Sequence, residues 1–326
     1  MIEVNLVGMS ELLQANLDRI ENNVYEDFEA FFVEATLSFH EFPRQIREAV
    51  NTFIRSVDAD GALLLRGLPT DADLPPTPSD LNAVIKKRTQ VSEFCLCSIA
   101  SMLGEPVSYL QERKGAIIHN MYPTRANASN LSSDSSSAIL GFHTEMAYHP
   151  FMPDYLLLYG LRQDPKKEAV TSISSVTRII PKLTDHQKNM LFQPLFKAGI
   201  DYSFGSVNGT QGNGPLRAIL YGNPQHPYFC FDHDLMLGIT EEAQRVLEEL
   251  REIVYLAKDD VLIEPGSLLA LDNRRCVHAR SIFTAYYNGQ DRWLQRMLVS
   301  KDITRSYSDR VEGGRMICTD FSQFFK

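Results

Sequence analysis

A chain of 326 residues with 44% hydrophobic residues, 18 Phe and 13 Tyr is long and apolar enough to bury a sizeable core, which excludes a disordered polypeptide. Its 32 Lys+Arg against 41 Asp+Glu leave a net charge of -9, which argues against a broad nucleic-acid-binding face. No apolar run reaches the roughly 20 residues that span a bilayer, the opening MIEVNLVGMSELL has no secretory character, and five scattered cysteines suit a reducing compartment, so the expectation is a cytoplasmic protein.

In chain order, Ser10 is placed to cap a helix whose Leu12, Leu13, Leu17 and Ile20 share a face. A second apolar-periodic stretch carries Phe28, Phe31, Phe32 and Leu37, and a third runs from Pro43 towards Ile54. The run 62–65, bounded by Gly61 and by Gly67 and Pro69, reads as a short buried strand, and 89–103 as a further buried helix. Beyond residue 105 the texture becomes β-rich, with short runs at 117–122, 155–159, 170–176, 218–221, 228–231, 268–271 and 293–299, and one clear helix at 240–256. Strands that do not alternate with helices point to an antiparallel barrel or sandwich. The expected organisation is one domain, 1–326, with a mostly helical part (1–104) and a β core (105–326). Segments near 112–137 and 203–216, dense in Ser, Asn and Gly, have the character of lids.

The candidate chemistry begins at His143-Thr144-Glu145, where an extended backbone would turn the imidazole and the carboxylate to the same side. Another imidazole would complete the two-histidine, one-carboxylate triad of non-haem iron oxygenases, and His278, in Cys276-Val277-His278-Ala279-Arg280, supplies one. Shortly after it comes Arg292, whose guanidinium can grip a carboxylate bidentately, as a chelated 2-oxo diacid requires at its distal end. Singly, each has an ordinary reading as a polar strand-edge pair, a core histidine or a surface arginine. Their conjunction, on a β-rich chain, points to iron.

The runs 142–149, 272–280 and 289–294 closely resemble clavaminate synthase and its relatives, a family that includes hydroxylases of free arginine, asparagine and lysine. The resemblance implies a double-stranded β-helix (jelly-roll) core wrapped by helices. It implies Fe(2+) on His143, Glu145 and His278, with 2-oxoglutarate and dioxygen as co-substrates. It also implies that Arg292 and Thr171 bind the distal carboxylate of 2-oxoglutarate, that Arg296 and Ser133 bind the substrate carboxylate, and that Gln111 receives the α-amino group. Asp232 and Asp234, read on one face of a strand continuing from 228–231, resemble a clamp for a cationic side-chain end, since adjacent carboxylates repel without a cation between them.

The expected activity is hydroxylation of C3 or C4 of a free L-amino acid, a basic one such as lysine or arginine, with asparagine the alternative. The expected partner is that small molecule, with neither nucleic acid nor membrane. A zinc hydrolase on the same ligands would have no use for Arg292, and a non-catalytic binding protein of the same shape would have no use for the intact triad.

Overall fold

The side-chain alternation of extended chains sorts the apolar residues of the central strands onto two faces. The computed structural model describes the chain apart from residues 7–9, 58, 81, 82, 84, 86, 202, 203, 205–210 and 323–326, and gives only the backbone of residues 10–12. The side chains of Ser10 and Leu12, and half of the expected lid segment 203–216, therefore lie outside the described residues.

An eight-stranded sheet runs in the spatial order Ile2–Asn5, Ala62–Arg66, Leu268–Asp272, Tyr155–Arg162, Trp293–Ser300, Glu105–Tyr109 and Met316–Ile317, with Ile118–Met121 also paired to Trp293–Ser300. The two outermost pairings are parallel and the rest antiparallel. A second, antiparallel sheet of four strands runs Lys258–Val261, Thr171–Ser175, Cys276–Arg280 and Leu140–His143. In the large sheet Leu64, Leu156, Leu158, Leu271 and Leu294 share a core with Phe142, Ile173 and Val277 of the small one. On the same strands Leu63, Leu65, Leu157 and Met297 instead pack with Phe31, Phe39, Ile46 and Phe94 of the N-terminal helices. Both faces of the large sheet are thus covered, which is why its strands read as continuous apolar runs; each fully buried Leu contributes about 1.5–3 kcal/mol.

The chain is mainly β, with helices Phe28–Phe39, Arg44–Arg55 and Val91–Leu103 laid on one side. Asp27 caps the first by accepting from the Ala30 N–H at 3.0 Å. Leu37 departs from its expected place: the helix buries Phe31, Phe32, Ala35 and Phe39, and Leu37 lies on the exposed face. The short strand Ile2–Asn5, unexpected in the helical part, is held by pairing with Ala62–Arg66. No helix among the described residues is long and apolar enough to cross a membrane.

Candidate active site

In the small sheet His143 and His278 are direct cross-strand partners, with ring centroids 4.2 Å apart. The strand ends at His143, so Glu145 is brought round by a turn, in which Met146 takes φ 55°, and not by continued extension. Two contacts hold that turn. Thr144 N–H donates to the Phe231 carbonyl at 2.7 Å, while its Oγ1 accepts from Phe231 N–H at 3.1 Å. The buried amide of Asn273 accepts from Glu145 N–H at 2.8 Å and donates to the Glu145 carbonyl at 3.0 Å. Asn273→Leu would orphan both backbone groups, at an expected cost of about 2–4 kcal/mol. A lower urea midpoint at unchanged slope, together with weaker metal binding, is the expected result.

The ligand atoms of His143, Glu145 and His278 lie within 4.8 Å of one another, and His278 Nε2 is 3.6 Å from Glu145 Oε2. His143 Nδ1 is engaged with the Gly141 carbonyl at 2.9 Å, leaving Nε2 for a metal, the usual outer support of a histidine ligand. Burial, then the neighbouring His143 and Arg296, hold the His278 imidazole neutral, well below its ordinary pKa. Its Nδ1 is buried without a hydrogen-bond partner. Two imidazoles facing one carboxylate, one of them kept deprotonated, fit a divalent transition metal.

All ten residues singled out from the sequence line two adjoining cavities. The inner one, about 40 Å³, is bordered by Ser133, His143, Glu145, Thr171, His278, Arg292 and Arg296. The outer one, about 500 Å³, is shared by Gln111, Ser133, His143, Glu145, Asp232, Asp234 and Arg296. Arg292 is buried, forms no ion pair among the described residues, and only grazes Thr171 Oγ1 at 3.5 Å. Burial, then the nearby Arg280, pull its pKa down to about 9. Gln111 donates to the Thr319 carbonyl, and its Oε1 is buried without a partner.

Asp232 and Asp234 correct one expectation. The hairpin strand is His226–Phe229, and both carboxylates sit in a turn beyond it. Asp232 Oδ1 accepts from the N–H groups of Asp234 and Leu235 at 2.9 and 2.8 Å, so the aspartate favours its own turn over continued pairing. A single bridge between His143 and Asp232 still sets the turn beside the histidine–glutamate cluster. Burial raises the Asp232 carboxyl to about 6, against the opposing pull of His143.

Arg296, expected only as a substrate contact, is already engaged: Nη1 reaches Glu145 Oε1 at 2.8 Å and Nη2 reaches Glu112 Oε2 at 2.5 Å. Nη2 also donates to His119 Nδ1 at 2.7 Å, while His119 Nε2 binds the Ala116 carbonyl at 2.8 Å. That division of roles needs a neutral imidazole, and burial, then Arg296, hold His119 neutral. The site also includes Asp201, on the outer cavity, and Arg280, whose guanidinium donates to Ser133 O, Ser135 Oγ and Ala138 O. Arg280 therefore ties the 132–138 segment to the histidine strand. None of Glu112, His119 and Asp201 stands at a spacing that marks it in the sequence; Glu112 adjoins Gln111, and its charge was the one available signal.

A family profile described as "Taurine catabolism dioxygenase TauD, TfdA family" matches residues 25–298. The chain is 32% identical to an L-lysine 3-hydroxylase of Catenulispora acidiphila (90% of this chain, 82% of the other). It is 33% identical to an L-asparagine oxygenase of Streptomyces coelicolor (89% and 86%), and 32% identical to clavaminate synthase 2 of Streptomyces clavuligerus (89% and 90%). A solved asparagine oxygenase in complex with Fe(II), 3-hydroxyasparagine and succinate superposes with a TM-score of 0.88 at 30% identity, covering 98% of this chain and 100% of that one. The non-heme iron oxygenase OrfP in complex with Fe and alpha-ketoglutaric acid superposes with a TM-score of 0.85 at 25% identity, covering 97% and 99%. The protein thus belongs to the TauD/TfdA dioxygenase family and is an oxygenase dependent on iron(II), 2-oxoglutarate and dioxygen.

Proposed function

We propose that this enzyme hydroxylates C3 or C4 of a free L-amino acid with a basic side chain, lysine or arginine. The supporting observation is the outer cavity. It combines one buried guanidinium, Arg296, with the carboxylates of Asp201, Asp232 and Asp234 beside the histidine–glutamate cluster. A molecule with one carboxylate and two cationic groups matches that set, whereas asparagine lacks the second cation. Asparagine remains the alternative, because an asparagine oxygenase is among the similar proteins.

In this reading the two facing sheets form a double-stranded β-helix within one oxygenase domain. His143, Glu145 and His278 hold the iron, and Arg292 with Thr171 binds the distal carboxylate of 2-oxoglutarate. Bound there, iron(II) with 2-oxoglutarate and dioxygen supplies the oxidising power that exchanges a C–H hydrogen for hydroxyl, releasing succinate and carbon dioxide. The chain's own task is placement: Arg296 and Ser133 grip the substrate carboxylate, Gln111 receives the α-amino group, and Asp232 with Asp234 draws in the side-chain cation. Holding the amino acid at both ends determines which carbon faces the metal. All five cysteines are unpaired, which supports a cytoplasmic location, and the acidic net charge supports a small-molecule partner over nucleic acid.

The test is 2-oxoglutarate-dependent succinate formation with lysine, arginine and asparagine, with mass spectrometry of the products. A gain of one oxygen on lysine or arginine is expected. Succinate at the no-substrate background with all three would reject the reading.

A further inference from the structure

Two buried guanidiniums, Arg280 and Arg292, line the inner cavity, and neither forms an ion pair among the described residues. The carboxylates whose charge reaches them are engaged elsewhere. Asp134, near Arg280, is held by Arg113 at 2.5 Å. Asp164, near Arg292, accepts from the N–H groups of Glu168 and Ala169 at 2.7 and 3.2 Å. Like charges in a poorly hydrated pocket repel, and after burial it is Arg280 that weighs against the charged form of Arg292.

Arg280 follows His278 by two positions on the strand Cys276–Arg280, so both side chains leave it on the same face. Its Nη1 donates to the Ser133 carbonyl at 3.1 Å, and its Nη2 to Ser135 Oγ at 2.7 Å and the Ala138 carbonyl at 3.0 Å. These acceptors belong to a stretch of turns and bends with no strand or helix of its own. Ser133 borders both cavities, whereas Ser135 borders neither. In the empty protein the charge of Arg292 opposes the seating of Arg280 on this stretch. A dicarboxylate in the inner cavity offsets both charges and so favours the seated state, in which Ser133 is held on the wall of the outer cavity. A ligand shifts such an equilibrium only through its different affinity for the two states, and here the difference is electrostatic.

We infer that Arg280 is a positioning residue, which transmits the filling of the inner cavity by a dicarboxylate to Ser133 on the outer one, so that each ligand tightens the other. This rests on the amino-acid reading above, in which Arg292 takes 2-oxoglutarate and Ser133 the substrate carboxylate, and adds to it the residue that links the two seats. Arg280 itself touches neither seat's acceptor through an ion pair; it acts through Ser133 and through the field at Arg292. Linkage makes the effect reciprocal, so the factor by which 2-oxoglutarate tightens the amino acid equals the factor in the other direction.

The test is anaerobic calorimetric titration of the iron(II)-loaded protein with L-lysine, L-arginine and L-asparagine, each with and without 2-oxoglutarate. The ratio of the two dissociation constants is the coupling, and the wild type is expected to give about 5- to 150-fold. Arg280→Gln keeps a donor but loses the charge, and its ratio should fall to about one. Ser135→Ala leaves the guanidinium and both cavity linings in place but removes one of its acceptors, so its ratio should lie between the two. A merely structural role would weaken the amino acid equally with and without 2-oxoglutarate and leave the ratio unchanged. The visible iron–2-oxoglutarate band reports that a variant is folded and still takes the co-substrate; where Arg280→Gln loses the band, Ser135→Ala decides. A wild-type ratio of about one, or a deciding variant within about twofold of the wild-type ratio, refutes the role of Arg280 while the amino-acid reading stands. If the wild type takes none of the three amino acids even with 2-oxoglutarate, that reading falls, and this one with it.

Discussion

Arg292→Met is expected to weaken 2-oxoglutarate binding by two to three orders of magnitude while leaving the ligand-free protein at least as stable as the wild type. Arg292 is a buried cation with no ion pair among the described residues, and burial already pulls its pKa down to about 9. An uncompensated buried charge costs several kcal/mol, so replacing it with an apolar side chain of similar length relieves the ligand-free fold. Once a carboxylate sits against the guanidinium the sign reverses, and removing one member of a buried pair costs about 3–5 kcal/mol; at about 1.4 kcal/mol per tenfold, that is the predicted loss of affinity. Arg292→Lys keeps the charge but loses the bidentate fork, so its affinity should fall between the two. Anaerobic titration followed by the visible iron–2-oxoglutarate band measures the affinity, and thermal unfolding of the metal-free protein measures the other half. A less stable ligand-free variant with undiminished 2-oxoglutarate affinity would show that Arg292 is a structural residue.

His278→Leu is expected to abolish metal binding at micromolar iron(II), and with it all turnover, without unfolding the protein. The imidazole is held neutral and its Nδ1 has no hydrogen-bond partner, an arrangement that costs the metal-free fold about 1–3 kcal/mol and that leucine removes. The metal-free variant should therefore unfold at or above the wild-type midpoint. The wild type gains stability as iron(II) or cobalt(II) is added, by about 2.7 kcal/mol at a hundredfold excess over the dissociation constant, and the variant should show no such gain. Metal-dependent stabilisation that survives in His278→Leu would move the metal site elsewhere. In both predictions a group proposed to bind a ligand is a cost to the empty fold, which is the expected signature of a site built for occupants.

Much of the site was legible because metal and carboxylate chemistry restrict the usable side chains. His143, Glu145, His278 and Arg292 could be marked from residue type and motif alone, and the central strands of the large sheet that face them show the continuous apolar character of a sheet covered on both sides. Asp232 and Asp234 were found through a wrong local geometry: they line the outer cavity, but from a turn stabilised by the Asp232 carboxylate itself. Leu37 was misplaced because a helical repeat does not say which face will meet the sheet. His119 had no visible partner in the sequence; it acquires one only because Ile118–Met121 pairs with Trp293–Ser300 so that His119 lies opposite Arg296.

The sequence by itself determined the family, the β-rich architecture, and the side chains able to hold a metal and a diacid, because each of these depends on residue identity and short-range periodicity. The tertiary structure decided which groups share an environment. It placed Asn273 across the backbone of Glu145, Arg280 against the 132–138 segment, and Glu112 and His119 on one guanidinium. Those contacts join residues far apart in the chain, where no spacing rule applies, and they arise from strand register and the burial of charge.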